Sequence, residues 1–169
     1  MGRRPILGLL AEAVAELIEG RAAALQAWYE RRIEAARANF LRIVTNMDEV
    51  AKAAFLTAVT PPSPTEPFEE WPVDCPACGN VGVLTGEPDP DWEADWDVAD
   101  GEAYAAGAYV SGVTLNARSF ACRACGLSLS GPALRLADFD RVGFGESDFD
   151  VSDASQYFGR VESEAWTDY

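Results

Sequence analysis

Two short cysteine motifs constrain this chain more than anything else in it. Cys75-Pro76-Ala77-Cys78-Gly79 and Cys122-Arg123-Ala124-Cys125-Gly126 contain all four cysteines of a sequence that has no histidine. Two intervening residues let the backbone fold back so that both sulfurs face one point. A glycine after the second cysteine supplies the positive φ that finishes such a turn. Backbone N–H groups in the turn can then point at the sulfurs and spread their negative charge. Each motif offers half of a tetrahedral site, so the two must meet although 43 residues lie between Cys78 and Cys122.

Disulfides or free thiols are the competing readings. An acidic chain without a leader fits a reducing cytosol, where disulfides rarely persist. A redox C-x-x-C normally occurs once, near a βαβ pattern. The sequence therefore predicts one metal ion held by Cys75, Cys78, Cys122 and Cys125. Zinc is favoured over iron, and the role is structural, because an all-cysteine site leaves no open position.

Trp71-Pro72-Val73-Asp74 leads into the first knuckle, and Val81-Gly82-Val83-Leu84-Thr85-Gly86 follows it. Ser119-Phe120-Ala121 leads into the second, and Leu127-Ser128-Leu129-Ser130-Gly131 follows. Residues 71–131 resemble a zinc ribbon, and the pattern is similar to ribbons in uncharacterised bacterial proteins with a helical N-terminal part. The resemblance covers about a third of the chain and implies a fold and a metal, not an activity. This copy departs from a minimal ribbon in the long insertion between its knuckles.

Charge divides the chain. Residues 1–57 carry 8 Lys/Arg and 7 Asp/Glu, whereas the remainder carries 5 Lys/Arg and 21 Asp/Glu, a net of -16. Such acidity opposes direct binding to phosphate backbones and favours basic partners. The opening residues briefly imitate a leader peptide, but Glu12, Glu16 and Glu19 interrupt the apolar run. No stretch is long and apolar enough to span a bilayer, so a cytoplasmic protein without membrane attachment is expected.

Residues 1–58 read as a helical association segment. Leu7, Leu10, Val14, Leu17 and Ile18 form an apolar stripe, and Gly20 either ends this helix or is tolerated within a longer one. Ile33, Ala36, Phe40, Ile43, Met47, Val50 and Ala54 alternate at three and four residues, the seam of a helix packed on another helix. That partner is either the segment before Gly20, folded back as a hairpin, or a second copy of the chain. Asn46 with Glu49 marks a possible break near Thr45. Arg31, Arg32, Arg37 and Arg42 are either phosphate contacts or a solvated face paired with Glu30 and Glu34; the solvated face is preferred.

Residues 59–70, with four prolines, read as a linker. The ribbon is assigned to 71–137, with strands at 81–85 and 103–120 and a third strand around Leu127 and Leu129. Residues 87–102 read as an acidic insertion loop carrying Trp92 and Trp96. A short helix or turn is expected at 132–137. Residues 138–169 form an acidic and aromatic C-terminal segment that either packs over the ribbon or orders on a partner.

Without histidine there is no Ser-His-Asp or Cys-His arrangement. A closed metal site leaves no thiol nucleophile, and no phosphate-binding loop is visible. The fold class expected is α+β: a long helix or helical hairpin, then a small antiparallel sheet, then the acidic segment. The function expected is a non-enzymatic zinc-binding interaction or adaptor module in a bacterial complex. Protein partners would dock on the helices or the acidic segments, with homo-oligomerisation possible. The alternatives are an acidic nucleic-acid mimic that blocks a nucleic-acid-binding protein, or a ribbon that binds nucleic acid itself.

Overall fold

A computed structural model describes residues 4–61, 68–99, 102–145 and 147–159. Most of the proline stretch (62–67), and Trp166 and Tyr169 of the C-terminal segment, lie outside the described residues. The chain is α+β, with helices at the N-terminus followed by a curled antiparallel sheet.

Helix α1 runs without interruption over Arg4–Val44. Its sequence is dominated by Ala, Leu, Glu and Arg, the strongest helix formers, and a single interior glycine costs only about 1 kcal/mol. Gly20 therefore does not end the helix, and the hairpin expected from folding back at Gly20 does not form. The break near Thr45 is present, but the cap is Asp48 rather than Asn46. The Asp48 carboxylate accepts from the Ala51 N–H at 2.8 Å and starts α2, Glu49–Val59. Thr60 follows α2, and Pro61 has no N–H with which to continue it.

Among the described residues five strands form one sheet: β1 Glu70–Asp74, β2 Val81–Ala99, β3 Glu102–Ala121, β4 Ser128–Ser130 and β5 Arg141–Gly145. The order is β1-β2-β3-β4, with β5 also on β3, beside residues 112–116. Helix α3, Pro132–Arg135, and helix α4, Val151–Phe158, complete the described elements.

The centre of the sheet is the long β2–β3 hairpin, and it corrects the sequence reading. Residues 87–99, expected to be loop, are strand, paired with β3 from Glu87↔Asn116 to Ala99↔Glu102. Pro88, Pro90 and dense carboxylates argued against strand there. They are tolerated because β1 pairs with β2 only as far as Thr85, which, among the described residues, leaves the rest of β2 as an edge. Proline and charge on such an edge also discourage pairing with foreign strands.

Three register shifts place an extra residue on β3 rather than on β2. The consequence is a clean division of faces. Leu84, Gly86, Pro88, Pro90 and Trp92 alternate along β2 without interruption. They lie opposite Phe120, Ala117, Leu115, Val113 and Val110 of β3. The extra residues Arg118 and Ser111 let Ala117 and Phe120, and likewise Val110 and Val113, share one face although each pair is three residues apart. Phe120, Leu115, Val113, Val110 and Leu84 are fully buried. Gly86 is required at its position. Its N–H bonds the Glu69 carbonyl at 3.0 Å, and an added Cβ would lie 2.8 Å from Ala117 Cα.

The seam of α1 meets the sheet, not another helix. Ala36 is buried, and Tyr29, Ile33 and Phe40 pack against the core formed by Leu84, Phe120, Leu127, Leu129 and the cysteines. Val14, Leu17 and Ile18, nearer the start of α1, are 54, 67 and 62 % exposed, so that stripe is not covered by the sheet. The C-terminal segment is partly built into the fold. Ala154 of α4 is buried beside Val110 and Val113, and the Ser155 hydroxyl accepts from Val110 N–H at 3.4 Å.

Candidate metal centre

The two knuckles are the turns that join β1 to β2 and β3 to β4, and their backbones repeat one another. In the first, Cys75 N–H donates to the Asn80 carbonyl and Gly79 N–H to the Cys75 carbonyl, both at 2.9 Å. In the second, Cys122 N–H donates to Leu127 and Gly126 N–H to Cys122, again both at 2.9 Å. Gly79 and Gly126 have φ of 70° and 76°, the left-handed conformation anticipated from the motifs.

Antiparallel pairing of β2 with β3 brings the two turns together at one end of the hairpin. All four sulfurs lie within 4.8 Å of one another. Cys75 Sγ is 3.6 Å from Cys125 Sγ, and Cys78 Sγ is 3.7 Å from Cys122 Sγ. These separations are too long for a disulfide, which needs about 2.05 Å. They match the edge of a tetrahedron whose centre lies about 2.3 Å from each sulfur, an edge of about 3.8 Å. The four cysteines are positioned to hold a metal ion, and the donor set is the soft, closed one that suits zinc or iron.

The thiol environment fits that chemistry. Burial pushes the Cys75 thiol up to about 11, against hydrogen bonds from the Ala77 and Cys78 backbones that favour its thiolate. Burial raises Cys125 further, with only the Leu127 backbone opposing. At Cys78 burial acts in the same direction but is outweighed by hydrogen bonds from the Asn80 side chain and backbone, and its thiol is lowered. A divalent cation among the sulfurs reverses the burial penalty, because it supplies the charge that the surrounding core withholds.

Helix α1 supports both turns from outside. Arg37 Nε donates to the Ala77 carbonyl at 3.2 Å, and Asn39 Nδ2 donates to the Cys125 carbonyl at 2.9 Å. Arg32 reaches the Ser128 carbonyl at 3.4 Å and lies 5.7 Å from the Trp28 ring centroid. The arginines were expected to pair with Glu30 and Glu34. Among the described residues no such ion pair occurs, and Glu30 instead accepts from Gln26 at 2.9 Å. Carbonyls at the turns compete successfully because the helix lies against them.

A second feature escaped the sequence reading. On β2 the acidic residues Glu87, Asp89, Asp91 and Glu93 alternate with the half-buried Pro88, Pro90 and Trp92, and all four are exposed, as is Asp97 further along the strand. Period-two alternation from Glu87 to Asp97 was the available signal; the prolines masked it. Arg118, on the extra position of β3, pairs with Glu87 at 2.6 Å.

Among the described residues no helix is long and apolar enough to cross a membrane. Compared with protein-family models, curated proteins and solved structures, the chain matches none of them.

Proposed function

We propose that this chain is a non-enzymatic zinc-ribbon interaction module. One structural zinc, bound by Cys75, Cys78, Cys122 and Cys125, pins the base of the β2–β3 hairpin so that it can present a charged strand to a basic protein partner. The observation that carries the reading is the alternation of exposed carboxylates on β2, a line of negative charge on a strand paired along its length with β3. Adjacent members lie about 6.8 Å apart along a strand.

The zinc is assigned a scaffolding role because four sulfurs fill its coordination shell. Direct nucleic-acid binding is disfavoured by the net charge of -15. The same row of carboxylates favours a second reading, in which β2 imitates one strand of nucleic acid in a basic groove. It presents about half the linear charge of such a strand, which carries one phosphate per about 3.4 Å of duplex axis.

Affinity capture from the source organism tests the reading. The bait pair is the wild-type protein and an Asp89→Asn/Asp91→Asn/Glu93→Gln variant. A basic partner kept by the first and lost by the second carries it, and equal retention by both sinks it. Displacement of a bound oligonucleotide from that partner would select mimicry over a plain adaptor role.

A further inference from the structure

A cavity of about 670 Å³ opens beside β1 and α4, away from the cysteines. Its walls include Phe68, Trp71, Phe149 and Tyr157. Phe68 is the hub of this cluster, with ring centroids 5.7 Å from Phe149, 5.2 Å from Tyr157 and 6.2 Å from Trp71. Its backbone is held at a φ of 71°, unusual for a bulky residue, and its side chain is buried. Trp71 is fixed from behind by stacking on Phe144 at 3.7 Å, and its indole N–H is used by the Phe68 carbonyl at 3.0 Å.

Carboxylates line the same cavity: Glu70 from β1, Asp148 and Asp150 from the loop before α4, and Asp153 from its first turn. None of the four forms an ion pair with a cationic side chain among the described residues. Aromatic faces beside unneutralised carboxylates attract one ligand chemistry in particular, an organic cation with an apolar stem. The size fits a ligand larger than one ammonium group, within the usual range for binding pockets of about 300–1,000 Å³.

We propose that this groove takes the arginine or lysine side chains of a basic peptide segment, with the alkyl stem on the aromatic wall and the charged head at the carboxylates. The proposal rests on the reading that the partner is basic, and it adds a second contact whose walls include none of the β2 carboxylates.

The whole 169-residue chain, titrated with an arginine-rich nonapeptide and with its citrulline counterpart, tests this by amide and indole NMR shifts. The arginine peptide should move the Trp71 indole and the signals of residues 148–157, and the neutral peptide should not. Glu70→Gln/Asp153→Asn should weaken binding at least tenfold without altering the spectrum elsewhere. Tyr157→Leu, which keeps apolar bulk, should weaken it several-fold.

Equal binding of the citrulline peptide, or undiminished binding by the double variant, overturns the proposal. Shifts confined to β2 overturn it too while leaving the adaptor reading intact. Shifts confined to the groove, unaffected by the Asp89→Asn/Asp91→Asn/Glu93→Gln changes, support the groove and count against β2 as the docking strand. If truncation after Gly159 moves the same groove signals and peptide does not, the occupant is the chain's own end and the proposal fails.

Discussion

Asn39 and Cys125 stand 86 positions apart and are joined by one hydrogen bond, from the asparagine side-chain nitrogen to the cysteine carbonyl at 2.9 Å. Arg37, two residues earlier on α1, makes the corresponding bond to the first knuckle through Ala77. The helix therefore positions both halves of the cysteine cluster. Asn39→Ala removes a donor from a partly buried carbonyl, a loss of about 1–3 kcal/mol. The expected outcome is a lower melting temperature and faster transfer of bound metal to a chelator, measured on the metal-loaded protein. Unchanged transfer would show that the helix is only an attachment.

Purified protein is expected to contain one zinc per chain by elemental analysis. A red iron spectrum would instead assign the cluster to iron. Cys122→Ser should abolish the cooperative unfolding of the sheet while far-UV helicity persists, because structural zinc sites contribute about 10–16 kcal/mol of apparent binding energy. Binding should release protons and weaken in acid, since each thiol must ionise to act as a ligand.

Gly86→Ala should destabilise the sheet strongly. The new methyl group meets backbone, Ala117 Cα at 2.8 Å, and the Asn116 carbonyl lies closer still, so no side-chain rotation relieves the contact. Overpacking of this kind typically costs about 1–3 kcal/mol. A chemical-denaturation midpoint equal to wild type would disprove the tight β2–β3 approach at this bulge.

Asp150 links α4 to pH. Hydrogen bonds from the Ser152 side chain, and from the Ser152 and Asp153 backbones, hold its carboxyl below the ordinary 3.8. A lowered folded value makes the ionised group stabilising above the unfolded pKa, and that contribution disappears as pH falls through the lowered one. The stability difference between wild type and Asp150→Ala should thus be constant at neutral pH and shrink in acid below about pH 4. A difference independent of pH down to 2 would mean that the cap acts without its charge.

Oligomeric state bears on the uncovered stripe of α1. If Val14, Leu17 and Ile18 meet a second copy, Leu17→Glu/Ile18→Glu should convert an oligomer to monomer in sedimentation velocity, because charge at a buried seam is strongly disfavoured. A monomeric wild type at high concentration would end that reading. Phe40→Glu is unsuited to this purpose, since Phe40 packs on the sheet.

The cysteine cluster was legible because its requirements are local. Spacing and glycine placement define each knuckle whatever surrounds it, and Gly79 and Gly126 adopt the expected conformation. The strand at Ser128–Ser130 and the helical turn at Pro132–Arg135 were legible for the same reason. Strand β5, around Gly143-Phe144-Gly145, offered no propensity signal; its pairing with β3 creates it. The helical seam at Ile33, Ala36 and Phe40 was correctly read as buried and assigned the wrong neighbour. Apolar periodicity reports that a face is covered, not by what. Residues 87–99 were misread because edge position decides whether Pro88 and Pro90 are tolerated, and an edge exists only once the sheet is assembled.

The hairpin's register also grades the cost of closing it. Ala99 and Glu102 are near neighbours in sequence, whereas the paired Val83 and Ala121 enclose the whole hairpin between them. Zipping away from the tip adds one short loop closure at a time, and joining the far ends first would require closing the longest loop in the sheet. On that order the sulfurs would meet last, a metal captured there would lock a hairpin already paired, and the open hairpin is what a chelator or a metal donor would encounter.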